Sequence, residues 1–482
     1  AAAALLVWGL GGTPRRRSFL VSGLAIAVFA PLPAAYFNTP VPRALEETVS
    51  VPSRPVRHVL LITVDTLRQD SLGIYNGNAA NSPHMDQFAR DGAVFTNAFS
   101  SAPWTYPSVA TILTGMAPRV HQLGDGRSAL SKEIPTMAEA MEKAGYRTGA
   151  CGYNSVLSPS SGLGRGFQEY RWFPENRVEI KNFGVGLAHY LPVLCGSHNP
   201  DAARLTDRSI QWIRDNAQQD FFYWVHYFDP HTPYKPPKEF LPGDAARNKM
   251  GASFTANKAA RMGTVARTPE ERQWIRALYD GEVRYADAEI GRLLDSIREL
   301  GIYDDTLIVI TSDHGEEFWD HDRFEHGHTL YNELLRVPLL VKLPGRHRGA
   351  AIDTCVSLQA VMPTVLDLCG VTPMIDGLLL PPLSPLLQDP PAAYAGQPAF
   401  SGACLFHGRL ESVVFGQMKY IRGVSSGHEM LFNLKEDPEE RCSLTRQDPA
   451  NLERGRKLLD DARSADARLA EQAARRDGAS DD

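Results

Sequence analysis

His58-Val59-Leu60-Leu61-Ile62-Thr63-Val64 and Thr306-Leu307-Ile308-Val309-Ile310-Thr311-Ser312 are near-continuous apolar runs, each followed by an aspartate, Asp65 and Asp313. A strand that is apolar on both faces needs cover on both faces. That is the condition of a parallel strand inside a layered α/β protein. Open sheets of this kind bind ligands beyond the carboxyl ends of their strands. The two aspartates therefore fall where chemistry is expected, and His314 and Gly315 follow the second one directly. A carboxylate and an imidazole side by side can reach one divalent ion, and Gly315 lets the backbone turn sharply beneath them. A single strand-end Asp is equally a turn residue. Two of them, one with an adjacent His, make a constellation.

The stretch between these runs alternates helix and strand. Helical spacing covers Ile134 to Ala144, Ala203 to Asn216 and Glu270 to Leu300, and strand patterns cover Arg147 to Gly152 and Phe221 to Tyr227. Trp274, Ile275, Leu278, Ile290, Leu293, Leu294 and Ile297 recur at helical intervals and are expected in the core. The succession predicts a doubly wound, mostly parallel α/β sheet. Pro363 to Cys369 reads as a short apolar helix stopped by Gly370, with Cys369 a buried thiol. A Pro-rich crossover over 371–400 leads to short antiparallel strands over 401–435. From Asn451 a charged helix runs into an Asp-rich stub. The expected organisation is a membrane segment over 1–40, a linker over 41–57, a catalytic domain over 58–370, a small C-terminal antiparallel subdomain over 371–450, and a helical tail over 451–482.

At 43% hydrophobic and 22% charged residues, the 482-residue chain is globular. A net charge of −6, with no basic cluster interleaved with aromatics, argues against a nucleic-acid partner. The six cysteines form no CxxC pair, which argues against a structural zinc site, and their spacing reveals no disulfide pairing. Ser18 to Phe37 is uncharged and apolar, about the ~20 residues that cross a bilayer. Arg15, Arg16 and Arg17 precede it, so the positive-inside rule places everything after residue 40 outside the cytoplasm. A cleaved signal peptide is the competing reading. Ala1 to Trp8, which lacks a methionine, resembles the tail of an earlier apolar segment and favours anchoring.

Between the two aspartates lies Thr105-Tyr106-Pro107-Ser108-Val109-Ala110-Thr111-Ile112-Leu113-Thr114-Gly115, a loop opening into a helix with Gly at its stop. A hydroxyl there sits at the positive end of the helix dipole, suited to attack on an anionic ester, although a structural cap is the simpler reading of the run alone. Taken in order, Val64-Asp65-Thr66-Leu67-Arg68, the Thr105 loop, His226-Tyr227-Phe228-Asp229-Pro230-His231-Thr232-Pro233-Tyr234 and Ser312-Asp313-His314-Gly315-Glu316 resemble the sulfatase family. Glu333 to Leu339, Met418 to Ile421 and Glu429 to Glu440 extend the resemblance over roughly residues 55–460. It implies an alkaline phosphatase-like fold and metal-dependent cleavage or transfer of sulfate or phosphate esters.

The departures from that family are specific. Thr105 stands where sulfatases carry the Cys or Ser that becomes formylglycine, so that maturation is not expected. Val109 replaces the usual Arg, Thr66 the second Asp, and Tyr153 and Ser155 the Lys-x-His pair. A Thr at the nucleophile position also resembles the membrane phosphoglycerol and phosphoethanolamine transferases, whose acceptors and donors are lipid or glycan. The expected ligands of a divalent ion (Ca, Mg, Mn or Zn) are Asp65, Asp313, His314 and the Thr105 oxygen, with the ion lowering the pKa of the Thr105 hydroxyl. His231, His326 and His328 are candidates to protonate the leaving oxygen, whereas His226 reads equally as a satisfied core residue. Three readings follow: a membrane-anchored hydrolase, a head-group transferase, and a non-catalytic binding module, the last disfavoured by the presence of Asp65, Asp313 and His314 together.

Overall fold

The computed structural model describes residues 56–124, 126–173, 202–243, 267–345, 349–374, 380–388, 397–406 and 408–479. Eight strands form the main sheet: β1 (His58–Val64), β2 (Ala93–Phe95), β3 (Arg147–Tyr153), β4 (Glu169–Phe173), β5 (Phe221–Tyr227), β6 (Thr306–Ser312), β7 (Leu339–Lys342) and β8 (Ala350–Ile352). Their order across the sheet is β8-β2-β7-β6-β1-β5-β3-β4. β1 pairs in parallel with both β5 and β6, and β3 pairs in parallel with β4 and β5. β7 runs antiparallel to its neighbours β2 and β6, so the sheet is mostly rather than wholly parallel.

The two apolar runs, His58–Val64 and Thr306–Ser312, are adjacent central strands. Both are buried along their whole length. Side-chain alternation divides them between two cores. Val59, Leu61, Leu307 and Val309 pack on one face with helices α1 (Thr105–Thr114), α2 (Met137–Lys143) and α5 (Val361–Leu368). Leu60, Ile62, Val64, Ile308 and Ile310 pack on the other face with α3 (Ala202–Asn216) and α4 (Pro269–Glu299). Each of these side chains stabilises the fold by roughly 1.5–3 kcal/mol through burial. The seven apolar α4 positions singled out by spacing are all in the second core.

Helix boundaries follow local chemistry. α2 begins at residue 137, inside the expected 134 start, because Thr136 and Glu139 form a capping box. Thr268 and Glu271 do the same for α4. Gly115 ends α1 in the left-handed conformation with φ 66°, as a stop glycine should.

Strands β9 (Ala399–Ser401), β10 (Leu410–Phe415), β11 (Met418–Gly423) and β12 (Glu429–Asn433) form the antiparallel four-stranded sheet expected near the C-terminus. The last helix, α6 (Pro449–Ala479), packs on it through Leu452 and Leu459. Cys369 is buried, and burial pushes its thiol up to about 12. Among the described residues Cys355, Cys369, Cys404 and Cys442 are free thiols. No helix among the described residues is long and apolar enough to cross a membrane, and the expected segment at 18–37 lies outside them.

Candidate active site

The register of the central strands assembles the site. Val64 is opposite Ser312 across β1 and β6, so the next residues, Asp65 and Asp313, emerge side by side at the carboxyl edge. Both are fully buried. Donor atoms of Asp65, Asp313 and His314 all lie within 4.8 Å of one another. His314 Nε2 is 3.6 Å from an oxygen of each aspartate. Its Nδ1 lies 2.8 Å from the Gly315 carbonyl, so Nδ1 carries a proton and the other ring nitrogen, Nε2, faces the carboxylates.

Thr105 is the first residue of α1, and Trp104, not Thr105, is the capping residue. The hydroxyl is therefore released from capping and faces the sheet edge. Its Oγ1 lies 3.4 Å from both Asp65 oxygens and 3.3 Å from His314 Nε2, and the residue is only 4% exposed. Ser108, one turn along α1, donates to the Asp313 carbonyl at 2.6 Å and locks the helix to the strand end.

The electrostatics call for a cation. Burial and the neighbouring Asp65 charge raise Asp313 to about 6. Burial acts the same way on Asp65, but His231, His226 and His314 outweigh it and hold that carboxyl well below the usual range. Asp313 Oδ2 is buried without a hydrogen-bond partner, a costly state for a carboxylate oxygen unless a positive group meets it. Donors 3.3–3.6 Å apart are spaced as ligands sharing one centre at about 2.0–2.6 Å would be. The residues thus fit a divalent ion. Thr66, in place of a second carboxylate, is held with φ 58°, and its amide lies 3.3 Å from Asp313 Oδ1. A β-branched residue in that region is strained, a state that tends to cluster at functional sites.

Of the three histidines expected to protonate the leaving oxygen, two lie beside this centre. The His326 ring centroid is 4.6 Å from that of His314 and 5.0 Å from that of His231. His326 Nδ1 pairs with Glu316 at 2.8 Å, and the other Glu316 oxygen accepts from Tyr234. His231 Nδ1 donates to the Thr232 carbonyl at 2.6 Å. His328 pairs with a different carboxylate. Its Nε2 pairs with Glu317 at 2.8 Å, and it lines a separate cavity with His321, Tyr331 and Glu440. The cause is Gly327 between the two histidines, with φ 87°, which turns the chain so that they serve different carboxylates.

Two residues escaped the sequence reading as site members. Asn154, directly after β3, donates to Asp65 Oδ2 at 2.8 Å and comes within 3.5 Å of Thr105 Oγ1. Its place just past the carboxyl end of a parallel strand was the available signal. His226 is not merely a core residue: its Nε2 is 3.4 Å from Asp65 Oδ2, and its Nδ1 is 2.8 Å from Thr63 Oγ1. A cavity of about 750 Å³ adjoins His231 and is lined also by Phe228, Lys235, Lys238, Glu282 and Tyr285. It is large enough for a bulky ester.

A buried, metal-fitting carboxylate pair beneath a helix-terminal hydroxyl, at the carboxyl edge of an α/β sheet, defines an enzyme class that cleaves tetrahedral anionic esters. The chain belongs to the sulfatase family, whose model matches residues 57–371. It is similar to an arylsulfatase of Clostridium perfringens, 25% identical over 439 residues that cover 80% of this chain and 90% of the relative. It is also similar to arylsulfatase K of Xenopus laevis, 25% identical, covering 85% of this chain and 82% of the relative. The crystal structure of a phosphonate monoester hydrolase from Agrobacterium radiobacter shares the fold, with a TM-score of 0.66 at 21% identity over 86% of this chain and 96% of that one. The protein is accordingly a sulfatase-family hydrolase of sulfate or phosphate esters.

Proposed function

We propose that Thr105 is the nucleophile of this hydrolase and that Asp65, Asp313 and His314 hold its divalent ion. The observation that carries the proposal is the position of Thr105 Oγ1, 3.3–3.4 Å from Asp65 and His314, with no capping duty. A bound divalent ion supplies Lewis acidity and a lowered pKa at the nucleophile. Asn154 and His226 hold the Asp65 carboxylate in place. The positive end of α1 favours the charge on the equatorial oxygens. The Thr105 hydroxyl gives up its proton to solvent water, its oxygen forms a bond to sulfur or phosphorus as the ester bond breaks, and the leaving oxygen takes a proton from His231 or His326. Water then cleaves the Thr105 ester and releases sulfate or phosphate. Resolution by water, rather than by a lipid or glycan acceptor, is supported by relatives named as arylsulfatases over most of this chain.

The test is acid-quenched peptide mass analysis during turnover of an aryl sulfate and an aryl phosphate. The expected result is a sulfuryl or phosphoryl adduct on the peptide containing Thr105. An adduct on any other residue, or product formation with none at any quench time, overturns the assignment.

The two histidines of the Glu325–Thr329 segment should separate cleanly. His326→Gln is expected to lower kcat on the order of 10²-fold or more, as loss of a proton donor does. His328→Gln is expected to lower the melting temperature, by loss of the buried Glu317 pair, with a much smaller effect on kcat. Steady-state kinetics and thermal melts of both variants decide; equal losses of kcat would remove the distinction.

We further propose that residues 18–37 anchor the chain with its catalytic domain extracytoplasmic, the support being Arg15–Arg17 before an uncharged run. The full chain should stay with the membrane pellet after alkaline carbonate washing; release into the supernatant sinks the anchor.

A further inference from the structure

We infer that Lys419, on the small C-terminal sheet, is a positioning residue for His314, acting through Glu440 and Asn332. This rests on the proposed metal site. Lys419 and Glu440 are an ion pair at 2.8 Å, both side chains fully buried. Lys419 Nζ also donates to Asn332 Oδ1 at 3.0 Å, and the Asn332 amide donates to the second Glu440 oxygen at 2.6 Å. The start of the Asn332–Leu335 helical turn is thus gripped at its side chain and its backbone by two charges from outside the main sheet.

That turn is the surface on which Gly315 rests. The Gly315 amide donates to the Leu334 carbonyl at 2.8 Å, and a Cβ at 315 would lie 2.0 Å from the Glu333 carbonyl. Gly315 is therefore required for close approach to this turn, not for a left-handed bend. Its own carbonyl accepts from His314 Nδ1 and so sets the imidazole that points Nε2 at Thr105 and the aspartates. A second link closes the frame: His321 Nδ1 pairs with Glu333 at 2.7 Å, and its Nε2 lies 3.3 Å from the Glu440 carbonyl. The path from Lys419 to the metal ligand runs through buried hydrogen bonds and one van der Waals stop. Groups hydrogen-bonded directly to a ligand typically control metal affinity or activity by about 10–100-fold, and the network bears on such a group, the Gly315 carbonyl.

A buried ion pair is weak evidence for stability, because replacing both partners can be neutral while removing one strands a charge. The test therefore uses the double variant Lys419→Met/Glu440→Leu, with Val413→Ala as a control that damages the core beneath the same sheet without touching the network. Mn²⁺ alone is titrated into metal-free full-length protein, and kcat and KM are read on the same samples. The expected result is that the folded double variant binds Mn²⁺ about 10–100-fold more weakly and loses kcat with little change in KM. Val413→Ala should melt lower with unchanged Mn²⁺ affinity. A folded double variant within twofold of the parent in Mn²⁺ affinity overturns the inference, as does an equal loss in Val413→Ala. Intact Mn²⁺ binding with no adduct on Thr105 would fell the nucleophile alone and leave this inference standing; a parent that binds no Mn²⁺ overturns both.

Discussion

Thr105→Ala is expected to reduce kcat by on the order of 10⁴-fold or more, the scale on which loss of a nucleophile acts, while leaving the fold intact. The second half of the expectation is what makes the first informative. The Thr105 side chain makes no capping bond, so its removal takes no support from α1. Its recorded contacts to Asp65 and His314 are long, 3.3–3.4 Å, and contribute little stability as hydrogen bonds. The helix remains tied to the strand end through Ser108 and Asp313. Circular dichroism and the melting temperature should therefore match the parent while turnover collapses. Thr105→Ser keeps the hydroxyl and should recover part of the rate. Near-parental kcat in Thr105→Ala would mean that water or another group attacks directly, and the site would have to be read without a covalent intermediate.

Asp313→Asn should separate metal binding from folding in the opposite sense. Metal content and the metal-dependent rise in melting temperature are expected to disappear, because the proposed site draws one of its two carboxylates from Asp313. A ligand at 100 times its Kd stabilises the fold by about 2.7 kcal/mol, so the lost rise is measurable. The metal-free variant, however, should melt higher than the metal-free parent at neutral pH. Burial and the Asp65 charge raise Asp313 to about 6 in the fold, above the ordinary value of 3.8. A raised carboxyl favours the fold only while protonated; that contribution is complete below the unfolded value and lost as pH climbs through about 6. The parent therefore carries a penalty at pH 7–8 that Asn lacks, and the difference should vanish near pH 4. Thermal melts of both metal-free proteins across that range, with metal analysis alongside, check the result. Undiminished metal stoichiometry in Asp313→Asn would remove Asp313 from the ligand set.

Much of this molecule is legible residue by residue. The runs at 58–64 and 306–312 read as buried strands because nothing in them tolerates solvent, and their trailing aspartates mark the carboxyl edge. α4 declares itself by apolar spacing and by the Thr268–Glu271 box at its start. Thr105, Gly115 and Gly370 are local signals that the fold obeys. Other assignments had no local signal. His226 sits in an aromatic strand like any core residue, and only the pairing of Thr63 with His226 across β1 and β5 aims it at Asp65. His326 and His328 look interchangeable in Glu325-His326-Gly327-His328, and the turn at Gly327 alone tells them apart. Lys419 and Asn332 lie 87 positions apart, with no pattern to join them.

The sequence by itself therefore determined the elements, their layering, and the chemical types at the sheet edge: two acids, an imidazole and a threonine hydroxyl. Those follow from hydrophobic period and turn chemistry, which act over a few residues. Which histidines meet the hydroxyl, which carboxylate is raised, and what holds His314 in place were decided only by the tertiary structure. These depend on strand register and on desolvation by distant segments, and both arise only when parts of the chain hundreds of residues apart share one buried volume.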